Sequence, residues 1–314
     1  MIVLRYKKEH KIIWDNFIKE SNNGTFLFMR DYLEYHSDRF LDFSLLVLDE
    51  KKNIIAVFPA NLDNDIIYSH NGLTYGGIVT KDCKLDKKIK IFDAVILFLK
   101  SQSKKKMIYK SVPNFYLKSF TDSEKYAIFL NKGKSIRVDT SLVIDLKNEI
   151  KFNSNRKRSL KKAQKNNLQI ERSTDGTLFF WNEILTPNLK EKYFKSPVHS
   201  LEEIQYLQNL FPDNILQYNV YLDDEILGGT TLFLINDTIH AQYIASNEKG
   251  RRVGCLDYLF DELITEFRQK KMNYFSFGIV NENDGLYVNQ GLLDWKESFG
   301  AKVFCNDFFE FNLK

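Results

Sequence analysis

The stretch Ile239-His240-Ala241-Gln242-Tyr243-Ile244-Ala245-Ser246 runs into Asn247-Glu248-Lys249-Gly250-Arg251-Arg252-Val253-Gly254-Cys255 and then into Leu256 to Gln269. The first part reads as a strand and the second as a loop. In the third, Leu256, Leu259, Phe260, Leu263, Ile264 and Phe267 recur at helical spacing and predict an amphipathic helix. A helix that begins after such a loop aims unpaired backbone N–H groups and a positive dipole end at whatever lies there. Gly250 and Gly254 allow close backbone approach, and Arg251 and Arg252 add positive charge. A phosphate or diphosphate suits that corner. A solvated turn with two surface arginines is the plainer alternative.

The same order of elements occurs earlier in the chain. Phe43 to Leu48 and Ile54 to Phe58 flank a charged turn, as do Tyr218 to Leu222 and Ile226 to Phe233. Both pairs read as antiparallel strands. A further strand follows each, then a glycine-containing loop, then a helix, predicted near Phe92 to Gln102 in the first copy. Asp65 matches Asp237, Lys106 matches Lys271 and Gly133 matches Gly300, at offsets of 172, 165 and 167 residues. Near-constant offsets in one order point to an internal duplication. The expected fold class is therefore α+β, with two tandem domains, each a mixed, mostly antiparallel sheet flanked by helices. The expected boundaries are 1–150 and 151–314. Two more helices are predicted over Asp175 to Leu189 and Ser200 to Leu210, the latter with a Ser200/Glu203 capping box.

Composition agrees. The 314 residues suit two domains, and 44% hydrophobic with 27% charged residues excludes wholesale disorder. The 45 Lys and Arg exceed the 41 Asp and Glu by a formal +4, mild for a general nucleic-acid binder. Between the halves, Lys151 to Leu168 has seven basic residues and no acid, including Arg156-Lys157-Arg158 and Lys161-Lys162. Cys83, Cys255 and Cys305 form no CxxC pair, and the five histidines are dispersed, so no metal site is expected. The charged start, Arg5 to Glu9, predicts no signal peptide. No apolar run reaches the roughly 20 residues that span a bilayer. A cytoplasmic location without membrane contact is the expectation.

Arg251-x-x-Gly254 after a strand and before a helix resembles the acyl-CoA diphosphate loop of the GCN5-related N-acetyltransferases (GNATs), whose pattern is Gln/Arg-x-x-Gly-x-Gly/Ala; here Leu256 replaces the final small residue. Leu292 to Ala301 is similar to that family's late helix and turn. Trp295 stands where the family often carries a Tyr that protonates the leaving thiolate, and an indole cannot serve as that acid. The duplication with a basic join resembles the tandem branch that includes the Fem-type peptidyltransferases. Ser69 to Gly77, Pro197-Val198-His199-Ser200, His240 to Tyr243, and Phe277-Gly278-Ile279 with Asn281-Glu282 look closer to acyltransferases acting on nucleotide-linked amino sugars.

The resemblance implies N-acyl transfer from acyl-CoA, as cosubstrate, to the amine of a UDP- or dTDP-linked amino-deoxy sugar for surface polysaccharide. Acyl-CoA would sit on the second domain at Arg251, Arg252 and Gly254. A backbone N–H of Ile244 or Ala245 would stabilise the oxyanion. An amine must lose a proton before it attacks, and His199 and Glu282 are the candidate bases. His70, Tyr75, His240, Tyr243 and Lys296 are candidate acceptor contacts. One alternative is a Fem-type transfer from aminoacyl-tRNA, with the basic join on the tRNA backbone. The other is a domain that binds without catalysing. The first reading involves no nucleic acid.

Overall fold

The computed structural model describes residues 1–314, apart from the side chain of Tyr193. They group into two compact units. One comprises residues 1–139, 283–285 and 305–314; the other comprises residues 140–282 and 286–304. Residues 305–314, the end of the second expected domain, group instead with the first unit.

The first unit has a four-stranded antiparallel sheet in the order Ile2–Arg5, Leu45–Leu48, Ile54–Phe58, Val79–Thr80. A further set of strands runs Lys302–Asn312, Lys106–Lys110, Ile66–Tyr68, Asn61–Asp63, Leu41–Asp42. Helix Leu85–Ser101 contributes Ile91, Phe92, Val95, Ile96 and Leu99 to the core, an apolar face at three- and four-residue steps. It begins before the expected Phe92 because Leu85 to Lys90 is polar but holds no helix breaker.

In the second unit the strands Leu168–Arg172, Ile215–Leu222, Glu225–Ile235 and Thr238–Ser246 are antiparallel neighbours. Thr238–Ser246 then pairs in parallel with Tyr274–Ile279, which is antiparallel to residues 141–145 of strand Lys134–Asp145. The parallel step needs a crossover, supplied by helix Cys255–Gln269. Its Leu259, Phe260, Leu263, Ile264 and Phe267 pack with Leu216, Leu232, Ile239 and Phe275. Another helical run covers Gly176–Phe179, Phe180–Leu185 and Thr186–Tyr193, with a π-wound middle, and Leu201–Leu210 comes next with the expected capping box. The fold class is as expected, mixed sheets flanked by helices in each unit.

The duplication is visible in register. Each unit contains a parallel ladder three residues long: Ile66, Ile67 and Tyr68 face Lys106, Met107 and Ile108, and Thr238, Ile239 and His240 face Tyr274, Phe275 and Ser276. Beyond the ladder the two units differ. In the first, Ser69 to Gly77 folds back over the end of the ladder. The Lys110 ammonium holds it by donating to the carbonyl oxygens of His70, Asn71 and Leu73 at 3.3, 3.3 and 2.8 Å.

Candidate active site

In the second unit no such loop intervenes. Past His240 and Ser276 the parallel strands have no paired residues, so they part. A bulge helps to turn the first strand away. Thr231 faces Tyr243 and Leu232 faces Ala241, which leaves Gln242 unmatched. Asn247 N–H donates to Leu227 O. Alternation along the strand then points the Ala245 N–H toward the same neighbour and the Ile244 N–H toward the opening.

Four residues converge where the strands part. Gly278 has φ of +71°, and a Cβ there would stand 3.4 Å from His240 Cε1. His240 Nδ1 lies 3.3 Å from Ser276 Oγ. Lys296, on helix Gln290–Glu297, reaches in and donates to the carbonyl oxygens of Gly278 and Ile279 at 3.2 and 2.7 Å. It is 5% exposed and makes no ion pair among the described residues. Burial without a counter-charge lowers its pKa to about 7. Burial, and then the Lys296 charge, lower that of His240 to about 4.

A second pair lies further along the same strand. The Tyr243 hydroxyl is 2.6 Å from His199 Nδ1 and accepts from the His199 backbone N–H at 3.1 Å. Trp181 packs edge-on against Tyr243 and donates its indole N–H to the His199 carbonyl. His199, one of the two candidate bases, is 4% exposed and so is held inside rather than on the surface.

The segment after the strand is corrected. Asn247 to Cys255 is not a loop: Asn247 accepts from Gly250 N–H and caps a short helix, Glu248–Val253. Gly254, with φ of +76°, ends that helix and starts the long one. Arg251 donates to the Ser246 carbonyl at 2.8 Å, and Arg252 pairs with Glu248. The first turn of the long helix holds Asp257, whose carboxylate accepts from Ser159 and pairs with buried Arg156. A Cβ on Gly254 would meet Ala163 Cβ at 3.3 Å. The basic segment, helix Ser154–Ala163, therefore packs against this terminus, whose positive end is already met by an acid of the chain.

The remaining expected site residues have other partners. Glu282 is exposed and accepts from Asn289 Nδ2. In the first unit, His70 is buried with φ of +67° and stacks on His36, and Tyr75 lies inside the core, hydrogen-bonded to Thr25 Oγ1. Sequence reading missed Ser276, Gly278, Asp257 and the buried role of Arg156. Gly278 carried a signal, since a glycine ending a strand marks backbone that a side chain would obstruct. Among the described residues no group of three or more His, Cys, Asp or Glu is placed to hold a metal, and no helix is long and apolar enough to cross a membrane.

Two neighbouring strands, one bulged, that are joined by a crossover helix and part after a short parallel ladder are a recognisable arrangement. Residues 155–297 match the acetyltransferase (GNAT) domain family. This GNAT match lies within the second unit apart from residues 283–285. A search of curated proteins found no match. Among solved structures the chain is similar to FemX, at 12% identity and a TM-score of 0.68, covering 99% of this chain and 97% of that one. It is also similar to the C-terminal domain of a putative lysylphosphatidylglycerol synthetase from Agrobacterium fabrum, at 10% identity and 0.63, covering 97% and 92%. A tandem GNAT protein from the clavulanic acid biosynthesis pathway aligns at 8% identity and 0.50, covering 100% and 98%. These likenesses establish a tandem GNAT-type fold.

Proposed function

We propose that the second unit is the catalytic half of a GNAT-fold N-acyltransferase that acylates the amine of a nucleotide-linked amino sugar, with acyl-CoA as donor. The observation that carries this is the strand opening with the Lys296 ammonium held at its inner end. The acyl carbonyl enters beside the Ile244 N–H, which meets the oxygen as negative charge builds on it. The amine nitrogen bonds to the carbonyl carbon and the carbon–sulfur bond breaks. His199, backed by Tyr243, or Glu282 takes the amine proton. Lys296, with a pKa near neutrality, supplies a proton to the departing sulfur, the task that Trp295 cannot perform.

A second reading has a specific observation in its favour. Lys157, Arg158, Lys161, Lys162 and Lys165 are all exposed along and just beyond helix Ser154–Ala163, and none makes an ion pair among the described residues. Such a stripe suits a phosphate backbone, as a Fem-type aminoacyl-tRNA donor would present, and the likeness to FemX supports the same alternative. The donor test uses one acceptor panel with acetyl-CoA, 3-hydroxybutanoyl-CoA and aminoacyl-tRNA in parallel. Thiol release with a CoA donor and a nucleotide amino sugar supports the first reading. Product from aminoacyl-tRNA alone replaces it with the second, and no product from any pair removes both.

A further inference from the structure

We infer that the polar groove beside Lys296 holds a sugar ring of the acceptor, an inference that rests on the amino-sugar reading above. The groove encloses about 770 Å3. Asn153 and Asn155, from the cap and first turn of helix Ser154–Ala163, form one wall. Trp295 and Glu297, which flank Lys296 in sequence, form the other, with Lys302 at the start of the last strand.

Three properties fix the ligand class. First, the groove carries no surplus of positive charge. Arg156 is already committed to Asp257 and to Ser298 Oγ, which leaves one ammonium, Lys302, and two carboxylates, Asp294 and Glu297, among the lining residues. A diphosphate needs a surplus of cations, and none is present. Second, the side-chain polar groups of Trp295, Glu297 and Lys302 find no partner among the described residues. They present an indole N–H, a carboxylate and an ammonium, donors and acceptors side by side as a vicinal diol requires. Third, Trp295 is half-buried, with the Arg156 guanidinium 5.6 Å from its ring centre, and Phe260, Phe277 and Phe299 all meet it edge to face, at 5.6, 5.6 and 5.1 Å between ring centres, so no aromatic ring is stacked on it. An apolar ring surface rimmed by polar groups matches the C–H face and hydroxyl edge of a pyranose. A ribose of the donor carries the same diol chemistry, so the test must separate the two sources.

The test uses tryptophan emission of the full chain. Trp14 and Trp181 are buried at 0% and 2% exposure, so a ligand in the groove is read through Trp295. UDP- and dTDP-linked amino sugars, free glucosamine, adenosine and coenzyme A are titrated separately. Saturable quenching by the amino sugars is expected, weakened at least ten-fold in Glu297→Gln and, at the exposed strand start, in Lys302→Met. Unchanged thermal midpoints show that these variants fold. Quenching by adenosine or coenzyme A alone, no quenching by any sugar, or wild-type affinity in both variants overturns the assignment. Acyl transfer assayed beside it keeps the two ideas separate. Turnover with an unaltered sugar KM in both variants rejects the groove and spares the proposed function. Sugar binding without turnover for any donor does the reverse.

Discussion

Lys296 Nζ donates to the Ile279 carbonyl at 2.7 Å, just past the level at which the two parallel strands lose contact. A buried ammonium satisfied by backbone dipoles alone is an acid of unusual strength, since no carboxylate offsets the loss of its hydration. On the proposed mechanism, that geometry makes the reaction dependent on the protonation of one side chain.

Activity should fall as pH rises through about 7, the pKa of Lys296, if its proton is used in the transfer. Lys296→Met should lower kcat by about 10²- to 10⁴-fold, the span typical of a lost general acid, and erase that limb of the profile. Lys296→Arg keeps a cation but stays protonated across the range, so its activity should be low and flat there. A pH–rate profile of the three proteins checks this; an unchanged descending limb in Lys296→Met would assign the proton elsewhere.

Stability should show the same group with its own sign. The Lys296 pKa is about 7 in the folded protein against 10.5 in the free side chain, so the unfolded state binds the extra proton between these values. Unfolding free energy contributed by this residue therefore rises with pH from about 7 to about 10.5. Denaturant midpoints at pH 6.5 and 9.5 should differ by less in Lys296→Met than in the wild type.

His240 acts over a lower window. Its folded pKa of about 4 lies below 6.5, so it contributes stability present above pH 6.5 and lost as pH falls toward 4. His36 behaves alike in the first unit, so the comparison must be with His240→Gln rather than with theory. The variant should lose less stability than the wild type between pH 6.5 and pH 4, by up to about 3 kcal/mol.

Arg156 and Asp257 form a buried pair, with the Arg156 guanidinium 4.2 Å from the centre of the Phe299 ring. Arg156→Met or Asp257→Asn alone should cost about 3 to 5 kcal/mol, because each strands a partner. The double variant should cost clearly less than the two together, measured by urea unfolding. Simple addition would mean that the pair is not coupled.

In the first unit, Lys110→Met should free the loop that its ammonium gathers. Amide exchange over residues 70–76 should quicken well before the core strands respond, with a global cost of about 2 kcal/mol for lost charge-assisted hydrogen bonds. Equal protection in the variant would show that the glycine turns hold the loop unaided.

The duplication and the fold class were legible because both rest on periodicity: the apolar face of helix Cys255–Gln269 and the matched strand pairs survive in any reading of the chain. The short helix Glu248–Val253 was not. Two glycines and two arginines argue for a loop locally, and what decides otherwise is Asn247, whose side chain satisfies the Gly250 N–H. Lys296 was visible as a charge but not as a buried one, because Trp-Lys-Glu-Ser reads as a solvated helix end. Its burial comes from the opening beneath it, a feature of three paired residues that no local pattern encodes. Tyr75 differs in the opposite sense: the sequence offered it as an acceptor contact, whereas its ring is packed against Phe28 and Tyr116.

The loop that Lys110 draws over the first ladder has an arithmetical outcome. One copy of the ancestral module has been darned shut with its own backbone, while its twin kept the breach. A tight-binding bisubstrate mimic should accordingly saturate this polypeptide at one equivalent, not two, however alike the halves remain in outline.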